Sequence, residues 1–193
     1  MTRIIAGRWG GRRIAVPPRG TRPTTDRVRE AVFSRLDHQD LLRGARVLDL
    51  FAGSGALGLE AVSRGAASAT LVEADARAVS VLRGNVRDLG AAGAVTVVKE
   101  RVRPYLSRAG EPFDVVLLDP PYDIAREDLA AVLVAVGDRL AEGGVVVLEW
   151  ASRAGDAPWP ETLEPVASKA YGETAIHYAA RLEREGDGGS VEP

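Results

Sequence analysis

Cysteine is absent from this 193-residue chain, and histidine occurs only twice. The first absence excludes disulfides and thiolate metal sites, and the second leaves little for zinc. No run approaches the ~18 consecutive apolar residues of a membrane-spanning helix. The opening Met-Thr-Arg-Ile-Ile is too short in apolar length for a signal peptide. A cytoplasmic protein without metal is expected, and the length suits one α/β domain with a short appendage.

Lysine is missing from residues 1–37, which nevertheless hold nine Arg against three acids, a balance of +6; residues 38–193 carry 16 basic and 24 acidic groups, a balance of −8. Arg presents a planar fork that grips phosphate through two hydrogen bonds, so this basic end reads as the footprint of a nucleic-acid backbone. Within it, Arg3-Ile4-Ile5-Ala6-Gly7 and Arg12-Arg13-Ile14-Ala15-Val16 are β-type runs around Trp9-Gly10-Gly11. They predict a hairpin whose Arg side chains and Trp9 face outward together. A linker at residues 17–20 follows. Thr25 is the expected N-cap of a helix with an apolar stripe of Val28, Ala31, Val32 and Leu36. Arg22, Arg27 and Arg29 fall outside that stripe, which leaves them free for phosphate.

From Ala45 onward strands and helices alternate. Strands are expected at residues 46–50, 70–73, 95–98, 113–118 and 145–148; apolar faces at Val79, Leu82, Val86 and Leu89, and at Leu129, Val132, Leu133, Val136 and Leu140, mark helices. Such alternation means an α/β fold with a parallel, doubly wound sheet. Residues 166–171 and 174–182 flank Gly172-Glu173 and predict a terminal antiparallel pair, giving seven strands. The polar, glycine-rich residues 185–193 are expected to be disordered.

Gly53-Ser54-Gly55-Ala56-Leu57-Gly58 follows the first strand of this series and opens a helix. The spacing serves either a dinucleotide, whose pyrophosphate takes the bare helix N-terminus, or S-adenosylmethionine, which has no phosphate and carries a sulfonium and an amino group. Asp49, four residues earlier, separates the two. A carboxylate repels pyrophosphate at a cost of several kcal/mol at about 4 Å and attracts a cationic amino-acid moiety. Glu73, ending the next strand, can accept from both ribose hydroxyls of either cofactor.

Asp119-Pro120-Pro121-Tyr122 leaves the 113–118 strand at its carboxyl end, the edge where open α/β sheets bind ligands. The two prolines keep the chain extended and stiff. The Asp119 carboxylate and the Pro120 carbonyl are thereby two acceptors for one NH2 group, and Tyr122 offers a ring face to a flat base. An exocyclic amino group on a nucleobase is a poor nucleophile until hydrogen bonds to both its protons draw the lone pair out of the ring.

With these motifs the chain resembles the class I S-adenosylmethionine-dependent methyltransferases of the amino-methylating branch. The runs Arg3-Ile4-Ile5-Ala6-Gly7 and Arg22-Pro23-Thr24-Thr25-Asp26-Arg27-Val28-Arg29-Glu30, with residues 47–58 and 119–122, narrow the likeness to the bacterial 16S ribosomal RNA guanine-966 N2-methyltransferases. The resemblance implies a Rossmann-like methyltransferase domain over residues 21–184 behind a basic arm over residues 1–20. It implies that Asp49, Gly53, Gly55 and Glu73 bind the cofactor and that Asp119, Pro120 and Tyr122 hold the guanine. Thr24, Thr25 and Arg27 would lie at the mouth, and Arg3, Arg8, Arg12, Arg13, Arg22 and Arg27 would meet RNA. Members commonly carry a small polar or acidic residue followed by Ala at the adenine, where this chain reads Glu100-Arg101-Val102; backbone groups of Arg101 and Val102 would serve there. The implied partner is 16S rRNA in an assembled or assembling small ribosomal subunit, met by a monomer. Methylation of adenine N6 in DNA, a nicotinamide-dependent oxidoreductase on the same glycine loop, and a non-catalytic RNA-binding protein on this fold stand as alternatives.

Overall fold

The computed structural model describes residues 2–17 and 25–182. Arg22, Thr24, most of the 17–20 linker and the 185–193 tail therefore lie outside the described residues. Strands β1 (Thr2–Arg3) and β2 (Arg13–Ile14) form a two-stranded antiparallel sheet around a 3-10 turn at Gly7–Trp9. The main sheet holds β3 (Arg46–Leu50), β4 (Ser68–Glu73), β5 (Val95–Lys99), β6 (Phe113–Leu118), β7 (Leu140–Ala151), β8 (Leu163–Tyr171) and β9 (Thr174–Arg181). Its order is β5-β4-β3-β6-β7-β9-β8, parallel from β5 to β7 and antiparallel at β9 and β8. The doubly wound seven-stranded expectation is met.

Alternate residues of the central strands feed two cores. Val47, Leu71, Val115, Leu117 and Val147 pack with α1 (Asp26–His38), α2 (Ala56–Ser63) and α3 (Ala76–Asp88). Leu48, Leu50, Val116, Leu118, Val146 and Leu148 pack with α4 (Val102–Leu106) and α5 (Arg126–Arg139). Burial on both faces explains why these strands read as continuous apolar runs. Short α4 goes unread in the sequence, since Pro104 and five residues give no period to detect. Leu140 begins β7 rather than ending α5.

The N-terminal hairpin is built onto α2 and α3. Ile4, Trp9 and Ile14 are buried in the first core, so Trp9 turns inward, against the outward expectation, and only its ring face meets the Arg8 guanidinium at 4.1 Å. Buried Glu60 accepts the Ile5 and Ala6 N–H groups at 2.7 and 3.0 Å, and Ser63 Oγ accepts from Trp9 N–H at 3.0 Å. Asn85 closes the other end, bonding both backbone groups of Ala15 at 2.9 Å. The extended pairing shrinks to two residues per strand because these side chains, rather than a partner strand, satisfy the backbone. Gly7 has φ +78°, and a Cβ there would stand 1.9 Å from the Ser63 carbonyl oxygen, so only glycine fits this approach.

Thr25 caps α1 through a 3.3 Å bond from Val28 N–H. The buried face is Val28, Arg29, Val32, Phe33 and Leu36. Arg29 is thus inside the protein, 1 % exposed, and unavailable to phosphate, a correction to the sequence reading. Among the described residues no helix is long and apolar enough to cross a membrane.

Candidate active site

The sheet order reverses direction between β3 and β6, and a crevice at such a switch point lies outside the carboxyl ends of the strands. A cleft of about 1990 Å³ opens there. Register places Leu50 beside Leu118, so the chain that follows each strand enters the cleft from adjacent positions.

On the β3 side Asp49 is 1 % exposed, and its Oδ2 accepts the Gly58 N–H at 2.9 Å. The carboxylate therefore occupies the start of α2, where a dinucleotide would put its pyrophosphate. Burial pushes the Asp49 carboxyl up to about 7; the Gly58 hydrogen bond opposes this, and the nearby charge of Glu73 adds to it. In its ionised form an acid at that place attracts a cationic group and repels a phosphate. Half-buried Glu73 accepts Gly53 N–H at 2.8 Å through Oε2 and Asp75 N–H at 2.8 Å through Oε1. One lone pair on each oxygen is left for a ligand hydroxyl. Phe51 sits at φ +64°, a conformation costly for a bulky residue and common near functional sites.

Gly53 lines the cleft, whereas Gly55 does not. Gly55 has φ +82°, and a Cβ on it would meet Leu82 at 2.3 Å. The second glycine is thus fixed by helix-to-core packing.

On the β6 side Asp119, Pro120, Pro121 and Tyr122 all line the cleft. Asp119 and Pro120 are half-buried, while Tyr122 is 59 % exposed and has the Arg153 guanidinium 4.6 Å from its ring centroid. Arg101, the exposed N-cap residue of α4, and Val102, buried in the second core, line the opposite part of the cleft. Of the six arginines singled out for RNA, Arg27 lines the cleft. Arg3, Arg8, Arg12 and Arg13 lie on the exposed side of the hairpin instead: Arg3 pairs with Asp26 at 3.1 Å and Arg12 donates to the Asp88 carbonyl at 2.5 Å.

The sequence reading missed Trp150, Arg153 and the β8-β9 turn around Gly172, which form a further wall. Trp150 and Arg153 lie at the carboxyl end of a parallel strand, so the edge rule used for Asp119 would have marked them. The turn has no such signal, because β9 reaches this place by inserting between β7 and β8.

Residues 2–180 match the protein family described as Conserved hypothetical protein 95. Ribosomal RNA small subunit methyltransferase D of Escherichia coli K12 is 48 % identical over 121 residues, covering 62 % of this chain and 60 % of that protein. The match thus spans less than two thirds of that relative's length. A putative rRNA methyltransferase of Bacillus subtilis is 35 % identical over 151 residues, covering 76 % of this chain and 81 % of that one. A solved putative methyltransferase from Escherichia coli superposes with a TM-score of 0.83 at 37 % identity, covering 93 % and 97 % of the two chains. With residues 2–180 matched and the doubly wound sheet shared with that solved structure, the chain belongs to the Conserved hypothetical protein 95 family.

Proposed function

We propose that this protein methylates the exocyclic N2 amino group of a guanine in 16S ribosomal RNA, guanine-966 by the motif resemblance, using S-adenosylmethionine. The observation that carries the reading is the meeting, at one switch-point cleft, of a buried acid on the glycine loop with the Asp119-Pro120-Pro121-Tyr122 edge. When bound, S-adenosylmethionine supplies an electrophilic methyl group on a positively charged sulfur. Asp49 receives the cationic amino-acid end, and Glu73 accepts from the ribose hydroxyls. Arg101 and Val102 flank the adenine.

The guanine leaves its RNA stack to reach the cleft, and Tyr122 stacks on it. Asp119 and the Pro120 carbonyl accept the two amino protons and so return the nitrogen lone pair to a nucleophilic state. Bound S-adenosylmethionine would offer its methyl carbon to this nitrogen, with the electrons of the carbon–sulfur bond left on sulfur. One amino proton, acidic once the nitrogen is alkylated, departs by way of Asp119. Catalysis here is positioning and electrostatics. Arg27 at the mouth and the hairpin arginines take RNA phosphates.

The test is to incubate the protein and radiolabelled S-adenosylmethionine with small ribosomal subunits from cells lacking the gene, then digest the RNA and identify the labelled nucleoside. Label in N2-methylguanosine is expected. Cofactor binding without label there, but with label in duplex DNA adenine, would replace the substrate; a protein that binds no cofactor would overturn the reading.

A further inference from the structure

A second, smaller chamber of about 50 Å³ lies beneath the glycine loop, sharing Phe51, Gly53 and Asp119 with the main cleft. Its remaining lining includes Asp49 and Arg29. Arg29 Nη2 makes three contacts, to Thr2 Oγ1 at 3.0 Å, the Arg3 carbonyl at 2.8 Å and Asp26 Oδ1 at 2.7 Å. Its Nε and Nη1 are buried and have no hydrogen-bond partner among the described residues. A guanidinium carries five N–H donors, and buried donors left unsatisfied call for an explanation. Asp26 compensates the charge only in part, being 44 % exposed and shared with Arg3. The arginine is also held in place: it belongs to the buried face of α1 with Val32 and Phe33.

The chamber thus presents both signs of charge over a space that suits a charged head group rather than a nucleoside. A simple cation would meet Arg29, and a simple anion would meet Asp49 and Asp119. A zwitterion satisfies both. We infer that Arg29 binds the α-carboxylate of the cofactor's methionine moiety, with the α-ammonium turned toward Asp49. The inference rests on S-adenosylmethionine being the cofactor.

Calorimetric titration of the full-length protein with three ligands tests it: S-adenosylhomocysteine, its decarboxylated analogue and 5′-methylthioadenosine. Wild type should bind S-adenosylhomocysteine about 10- to 100-fold more tightly than the decarboxylated analogue. Arg29→Met should erase that preference while leaving methylthioadenosine affinity unchanged, and Arg29→Lys should restore part of it. Equal affinity of wild type for the two amino-acid-bearing and decarboxylated ligands would overturn the inference without touching the methyltransferase reading, and it needs no variant to fold. Wild type binding none of the three would overturn both.

Discussion

Replacing Asp49 by Asn removes an ionisable proton while keeping an acceptor for the Gly58 N–H. The Asp49 carboxyl is pushed from an ordinary 3.8 to about 7, chiefly by burial. At pH 3 the group is protonated in both folded and unfolded chains. Between about pH 4 and 7 the unfolded chain loses the proton and the folded one keeps it, so rising pH favours unfolding. Above about 7 both are ionised, and the folded protein bears the whole cost of a buried charge. Each pH unit in that window corresponds to about 1.4 kcal/mol, so this one group removes on the order of 4 kcal/mol of stability between pH 4 and 8.

Asp49→Asn abolishes that loss. Without cofactor, the variant should melt near the wild-type temperature at pH 4.5 and well above it at pH 8, by roughly 8–16 °C at 2–4 °C per kcal/mol. The difference between the two proteins cancels every other titrating group. Thermal unfolding across pH 4.5–8.5 reads it directly. A constant difference across that range would refute the idea that Asp49 holds a proton at neutral pH. The same group makes cofactor binding pH-dependent: a cationic ligand selects the ionised acid, so wild-type affinity should rise with pH up to about 7 and level off, with proton release on binding near neutrality. Glu73→Gln removes the like charge and should move the break to lower pH.

Asp119→Ala should lower turnover at least about a hundredfold and cofactor affinity less than about tenfold, measured by single-turnover methylation beside calorimetry; equal losses would deny it a role at the amino group. Gly7→Ala forces a Cβ onto the Ser63 carbonyl in a left-handed backbone, and about 2–3 kcal/mol should be lost in urea unfolding. Glu60→Gln places an amide where the Ile5 and Ala6 N–H groups and the Arg64 guanidinium converge. It should cost about 3 kcal/mol and speed hydrogen exchange at Ile5 and Ala6, whereas unchanged exchange there would show that the hairpin is held by its apolar contacts alone.

Strand ends are the most legible part of the site. Asp49, Glu73 and Asp119 each terminate or immediately follow an apolar run, and a parallel sheet gathers such termini at one edge whatever the loops do. Local patterns fail where the deciding contact is distant. The arginine-rich start reads as a free hairpin because Glu60, Ser63 and Asn85, which bind its backbone, come some 50 to 70 positions later. Gly55 reads as a cofactor contact, although Leu71 and Leu82 set its need for glycine.

Arg29 misleads for a different reason. Counting Val28, Ala31, Val32 and Leu36 makes a narrow stripe that leaves it outside, but Phe33 and Leu36 stand four and seven positions after it, the spacing of a shared helix face. Including Phe33 widens the stripe to the observed one and turns Arg29 inward. A charge on that face cannot be solvated, so it must find partners within the fold or in a ligand. Asp26, Thr2 and the Arg3 carbonyl all converge on a single nitrogen. The other two nitrogens remain to be satisfied beside a chamber that already holds two aspartates, and an incoming zwitterion would complete the hydrogen bonding through its carboxylate and the charge balance through its ammonium group.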